Sequence, residues 1–312
     1  MDTLRPLGRG VVEVIGPTYE AYGELLRQSK NAAAIHATQC ETVTYGSHDR
    51  QKLDLYTPSI HAPKPAQHRH ILVFAYGGGF ISGDKIVAGI PGGVVYANLG
   101  YFFAEKCGFE TIVMDYRLLG HGAKYPSGGE DIDGVMRWIQ SRYGSEERNV
   151  FLMGNSAGGV HVATWLYDET FAARRQAWTT GKSLKLGGAV LLGAPFRLDP
   201  NGGMKDMLKR YYGDSTQIKG AEPTALMEHS TSKHPEVLVV VSELDPEFIV
   251  EASKEFVRLL QSRGKDGNFI ELKGHNHISP PLSLGTGIEQ EEAWGFEVAR
   301  WMTESAVSAL TF

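Results

Sequence analysis

Val150-Phe151-Leu152-Met153-Gly154-Asn155-Ser156-Ala157-Gly158 is an apolar run that ends in a Gly-x-Ser-x-Gly turn, and a helical pattern follows it over 158–167. Strand, tight turn and helix in that order are the context of a nucleophile elbow. The glycines have a physical reason. The chain reverses so sharply that side chains flanking the serine would collide with neighbouring backbone. The serine then stands at the tip, near a helix N-terminus whose free N–H groups support developing negative charge. Ser156 is therefore the candidate nucleophile.

Outward from this turn, short apolar runs alternate with helical patterns. Candidate strands at 51–56, 71–75, 110–115, 150–153, 189–192, 237–242 and 269–272 are interleaved with amphipathic stretches at 132–142, 158–167, 248–263 and 291–307. The alternation predicts an α/β fold with a mostly parallel central sheet and helices on both faces. Residues 42–45 and 51–56 form an expected antiparallel pair ahead of the parallel part. The 312 residues allow one large α/β domain or two small ones, and the chain is read as a single domain over 1–312. Two segments break the alternation: 1–39, with a helical stretch at 19–29, and a polar insertion at 196–234. Segments that long usually carry function, and both are expected to be lids.

A nucleophilic serine needs a base, an acid to orient it and a site for the oxyanion. Tyr76-Gly77-Gly78-Gly79-Phe80 follows the strand at 71–75, and consecutive glycines leave backbone N–H groups open to a substrate oxygen. A phosphate cradle would need a Gly-Lys-Ser/Thr ending, which is absent. Asp245, in Ser242-Glu243-Leu244-Asp245-Pro246, follows the apolar run at 237–241, and His277, in Gly274-His275-Asn276-His277-Ile278-Ser279, follows the strand at 269–272. The chain order Ser, Asp, His, each after a strand, puts all three at the edge where open α/β sheets place their active crevice.

The formal charge of -5 excludes the basic footprint of a nucleic-acid binder, so a small-molecule substrate is expected. No stretch approaches the roughly 20 apolar residues that cross a bilayer, and the N-terminus lacks the apolar core of a secretory signal. The expectation is a soluble cytoplasmic protein with no membrane partner, compatible with a homodimer. Cys40 and Cys107, the two cysteines, match no zinc or redox spacing and are expected to be buried fillers. His68 and His70 are expected to be solvated in a polar loop.

The motifs together resemble the hormone-sensitive-lipase-like carboxylesterases of the α/β-hydrolase fold. That family carries a His-Gly-Gly-Gly oxyanion motif, a Gly-Asp-Ser-Ala-Gly elbow, an Asp-Pro acid turn and a catalytic histidine. Here Tyr76–Gly79, Gly154–Gly158, Asp245-Pro246 and His277 stand in those places, and Asp115-Tyr116-Arg117-Leu118 with Tyr125-Pro126 and Asp131 is similar to a further family stretch. The resemblance implies that the backbone amides of Gly77, Gly78 and Ala157 hold the oxyanion, and that 1–39 and 196–234 form the lid over the acyl pocket. Tyr76 and Asn155 depart from the family pattern.

The implied activity is cleavage of an ester, lactone or amide of a small molecule through an acyl-enzyme, with no cofactor or metal. The alternative on the same fold is a condensing, cyclising or transacylating enzyme of a biosynthetic pathway. A binding module, as in gibberellin receptors that resemble this family, would lack part of the triad, and all three residues are present. A metal hydrolase would need more ligands than the two His-x-His pairs, His68/His70 and His275/His277, supply.

Overall fold

The computed structural model describes residues 3–64, 69–181 and 183–308. Its centre is an eight-stranded sheet. In chain order the strands are β1 (Cys40–Thr44), β2 (Lys52–Tyr56), β3 (Ile71–Ala75), β4 (Glu110–Met114), β5 (Arg148–Asn155), β6 (Leu184–Leu192), β7 (Val237–Leu244) and β8 (Asn268–Asn276). They lie in the order β1-β2-β4-β3-β5-β6-β7-β8. β1 and β2 pair antiparallel, as do β2 and β4, and every later pair is parallel.

The composition of the strands follows from this position. β3 and β4 are buried along their whole length, β5 and β6 nearly so, because a parallel sheet covered on both faces needs apolar residues on both. β1, at the edge, is mostly exposed. Cys40 opens that edge strand and is exposed, and Cys107 is only half-buried, so neither is the buried filler expected of it.

The strand order reverses between β4 and β5, and crossovers, right-handed as a rule, put helices on both faces. On one face the turn Phe102–Lys106 meets the helix Glu289–Ser308, with the Phe102 and Phe296 rings 4.7 Å apart. On the other, the helix Ala157–Tyr167 reaches Glu247–Ser262, with the Tyr167 and Phe256 rings 5.8 Å apart. Among the described residues no helix is long and apolar enough to cross a membrane.

The segments outside the alternation are more ordered than their sequence suggests. The expected helix at 19–29 runs over Val11–Gln28 with Pro17 inside it. The polar insertion holds three short helices, Lys205–Tyr212, Ser215–Gly220 and Pro223–His229. Their apolar residues Leu208, Tyr211, Tyr212 and Ile218, with Ala221 just past the second helix, pack with Phe80 and Val160 in a small second core. Helices of six to eight residues show too few turns for a 3.6-residue period to stand out.

Candidate active site

β5 delivers Ser156 into a sharp turn, and among the described residues only Phe80 shares its positive φ as a non-glycine. The serine's φ of 52° and ψ of -119° are those of a strained residue, a conformation that costs an L-residue about 1–3 kcal/mol. The turn holds because its surroundings leave no alternative. The Ser156 N–H donates to the Leu192 carbonyl at 2.8 Å, a Cβ on Gly154 would lie 2.4 Å from the Gly158 carbonyl oxygen, and one on Gly158 would lie 2.0 Å from that of Ala75. Both flanking positions must be glycine.

The structure brings His277 and Asp245 to this serine. His277 Nε2 lies 2.9 Å from Ser156 Oγ, and His277 Nδ1 lies 2.6 Å from Asp245 Oδ1. Asp245 is fully buried and His277 nearly so. With Nδ1–H donated to the carboxylate, Nε2 is left as the acceptor facing the serine hydroxyl. The second carboxylate oxygen, Asp245 Oδ2, accepts from the Ser242 N–H at 2.6 Å. Gly193, just past β6, has φ +55° and approaches so closely that a Cβ there would meet His277 Nδ1 at 3.2 Å. Nothing in the sequence marks Gly193, because its neighbour is 84 residues away along the chain.

The neighbouring candidates fall elsewhere. His275 is buried with Nδ1 2.9 Å from Ser279 Oγ, and burial lowers its imidazole to about 4. Glu243 accepts from the Gly274 N–H at 2.7 Å and pairs with Arg5 at 3.2 Å, bracing the turn without reaching His277. His70 is not solvated as expected but buried, with its ring against Phe109 and Phe151. His68 lies outside the described residues.

The glycine run after β3 comes directly against the elbow. A Cβ on Gly77 would stand 3.1 Å from Ser156 Cβ, and one on Gly78 would stand 1.9 Å from the Ser82 carbonyl oxygen. Tyr76 points away from the reacting side into a buried polar cluster. Its hydroxyl donates to Asp115 Oδ1 at 2.5 Å and accepts from Arg50 Nη2 at 2.7 Å, and its ring lies 4° from parallel with that of Tyr96. Burial, then Tyr116 and Asp115, push its phenol well above the ordinary range, so it stays a donor. Asp115 also accepts the Lys85 N–H at 2.8 Å, and the Tyr116 hydroxyl donates to the Tyr76 carbonyl at 2.8 Å. The Asp115-Tyr116 stretch thus anchors the glycine loop from behind.

Above Ser156 and His277 opens a cleft of about 1930 Å³. Gly77, Gly78, Asn155 and Ala157 lie at its floor. Val11, Val12, Ile15 and Tyr19 from the N-terminal helix form one wall, Met204, Met207 and Leu208 from the insertion form another, and Phe248 stands at the rim. Both segments that broke the alternation therefore face the cleft.

A family described as the alpha/beta hydrolase fold matches residues 72–279. Among curated proteins, the chain is similar to two probable isoprenylcysteine alpha-carbonyl methylesterases of Arabidopsis thaliana. One is 23% identical over 264 residues, covering 78% of this chain and 59% of the relative. The other is 24% identical over 257 residues, covering 76% and 50%. The matched region thus spans little more than half the length of these relatives. Among solved structures, esterase B from Lactobacillus Rhamnosis has a TM-score of 0.64 at 16% identity over 93% of this chain and 96% of its own. An esterase of Pyrobaculum calidifontis has a TM-score of 0.64 at 17% identity over 93% and 94%. At such identities the likeness is one of fold.

Proposed function

The chain belongs to the alpha/beta hydrolase family, and from that premise we propose that it is a serine hydrolase that cleaves an ester, lactone or amide of a small molecule through an acyl-enzyme. One observation carries the reading: the relay from Ser156 through His277 to buried Asp245, with contacts of 2.9 and 2.6 Å, opens onto an apolar cleft. His277 takes the hydroxyl proton of Ser156 through Nε2 as Oγ attacks the carbonyl carbon, and returns it to the leaving group. Asp245 fixes the imidazole tautomer and stabilises the imidazolium. The amides of Gly77, Gly78 and Ala157 are assigned to the oxyanion, each worth about 3–4 kcal/mol by analogy with such donors elsewhere. Water, activated by His277, then releases the acid.

The N-terminal segment 1–39 and the insertion 196–234 serve as the lid. Their contributions to the cleft wall are chiefly apolar, which suits a substrate with a substantial apolar body. The similar plant proteins carry methylesterase names, so a methyl ester on an apolar group belongs in the first substrate panel. The volume of the cleft also supports the second reading, acyl transfer to an acceptor other than water, since small-ligand pockets usually run about 300–1,000 Å³.

A panel of p-nitrophenyl esters of increasing chain length, an aryl formamide, a lactone and a prenyl-type methyl ester tests both readings through product analysis. Free acid appearing in step with alcohol supports hydrolysis. An acylated acceptor with no free acid would make the enzyme a transferase, and no turnover together with no fluorophosphonate labelling of Ser156 would remove the proposal.

A further inference from the structure

Arg9 lies in the N-terminal segment, 236 residues from the acid turn, yet its Nη1 donates to the Asp245 carbonyl at 2.7 Å. Among the described residues no main-chain N–H donates to that carbonyl. It stands before Pro246, the N-cap of Glu247–Ser262, and the first bonds of that helix run from Ile249 and Val250 to the Pro246 carbonyl instead. The rest of Asp245 is held by Ser242: the Asp245 N–H donates to the Ser242 carbonyl at 3.0 Å, and Oδ2 accepts from the Ser242 N–H at 2.6 Å. Arg9 supplies the remaining anchor and leaves Oδ1 to His277.

Two further contacts join the same segment to the same machinery. Arg5 Nη1 and Nη2 each reach one Glu243 carboxylate oxygen at 3.2 Å, and Glu243 Oε2 accepts from the Gly274 N–H at 2.7 Å. In the N-terminal helix, buried Thr18 accepts at Oγ1 from Asn276 Nδ2 at 2.9 Å, while Asn276 Oδ1 takes the N–H groups of Ile278 and Ser279 at 3.0 Å. The segment therefore grips the acid turn and the residues on both sides of His277. An exposed pair such as Arg5–Glu243 adds little to stability, so the arrangement acts through geometry.

We propose that Arg9 is a positioning residue for Asp245, and that Arg9, Arg5 and Thr18 together make the N-terminal segment a clamp between the acid turn and the histidine loop. The clamp rests on the reading of Ser156, His277 and Asp245 as the catalytic relay. Arg9 touches no reacting atom and acts through the orientation that Asp245 gives His277. The same helix turns Val12 and Ile15 to the cleft, so one element forms both a substrate wall and the brace behind the relay.

The test is a double-mutant cycle on Arg9→Ala, Arg9→Lys and Asp245→Asn. It is read by p-nitrophenyl acetate turnover and by the rate of fluorophosphonate labelling, with thermal melting as the folding control. Arg9→Ala is expected to lower kcat about tenfold with KM changed less than about twofold, since a misplacement of about 1 Å can cost about 10²-fold. Arg9→Lys, which keeps a donor, recovers most of the loss. With Asp245→Asn already present, Arg9→Ala changes kcat by less than about twofold, because the residue it acts through is gone. Equal losses in both backgrounds, or wild-type kcat in Arg9→Ala, would overturn the clamp alone. An Asp245→Asn enzyme with wild-type kcat would overturn the relay and the clamp together.

Discussion

Gly193 and His277 are so close that a Cβ on the glycine would lie 3.2 Å from Nδ1 and 3.5 Å from Asp245 Oδ1. The glycine lies directly against the histidine–aspartate contact, where a side chain would push the two apart. Its φ of +55° adds a second constraint, since left-handed backbone costs an L-residue about 1–2 kcal/mol. Gly193→Ala is expected to lower stability by about that amount and kcat by about tenfold or more. Urea unfolding and steady-state kinetics check the two effects separately. Unchanged kcat in a folded variant would mean that the imidazole tolerates displacement.

Ser156→Ala is expected to remove about 10⁶-fold of kcat, the loss seen when triad nucleophiles are deleted elsewhere. A fluorophosphonate probe should label the wild-type chain at this residue and the variant nowhere. Turnover above about a hundredth of wild type would rule out covalent catalysis by Ser156.

Asp245 and Glu243 stand two residues apart and do different things. Asp245→Asn should lower kcat by about 10⁴-fold, because an amide supports the wrong imidazole tautomer. Glu243→Gln loses only its charge toward Arg5 and a weaker bond to the Gly274 N–H, and should change kcat less than about tenfold. Kinetics on both variants, with circular dichroism as the folding control, decides. A dead Glu243→Gln beside an active Asp245→Asn would reassign the acid.

Tyr76→Phe removes the hydroxyl shared by Asp115 and Arg50 and keeps the ring stacked on Tyr96. The expected cost is about 1–3 kcal/mol of stability, from a buried carboxylate short of one donor. The loss in kcat should stay below about tenfold, because the oxyanion is assigned to main-chain amides. A loss above about 10²-fold would implicate the hydroxyl in the reaction itself.

Two buried histidines set an acid limit on the fold. Burial lowers His161 to about 3 and His275 to about 4, whereas in the unfolded chain they titrate near their ordinary value of about 6.5. The unfolded state therefore binds more protons between those values. Their contribution is full above about pH 6.5 and is lost as pH falls toward about 4. Going from about pH 7 to about pH 5 should cost roughly 2 kcal/mol per histidine, measured by urea unfolding. His161→Gln should flatten the slope, and equal stability at the two pH values would refute the account.

The elements that the sequence made legible are those whose signal is local. β3, Ile71–Ala75, and the elbow after β5 are written in consecutive residues, because an apolar run and a pair of glycines each answer to constraints within one turn or one strand. The order of Ser156, Asp245 and His277 was equally readable, since each follows its own strand. The insertion at 196–234 was not. Its helices are too short to show a period and are held by Phe80 and Val160 from far along the chain.

Which distant groups meet is settled by folding alone. Gly193 reaches His277, Arg9 reaches the Asp245 carbonyl, Thr18 reaches Asn276, and Asp115 reaches Tyr76 across separations of 39 to 258 residues. None of these residue types is unusual where it stands. Backbone geometry propagates along the chain from neighbour to neighbour, whereas a hydrogen bond between a helix before the first strand and the end of the last strand depends on how the whole sheet is stacked and covered.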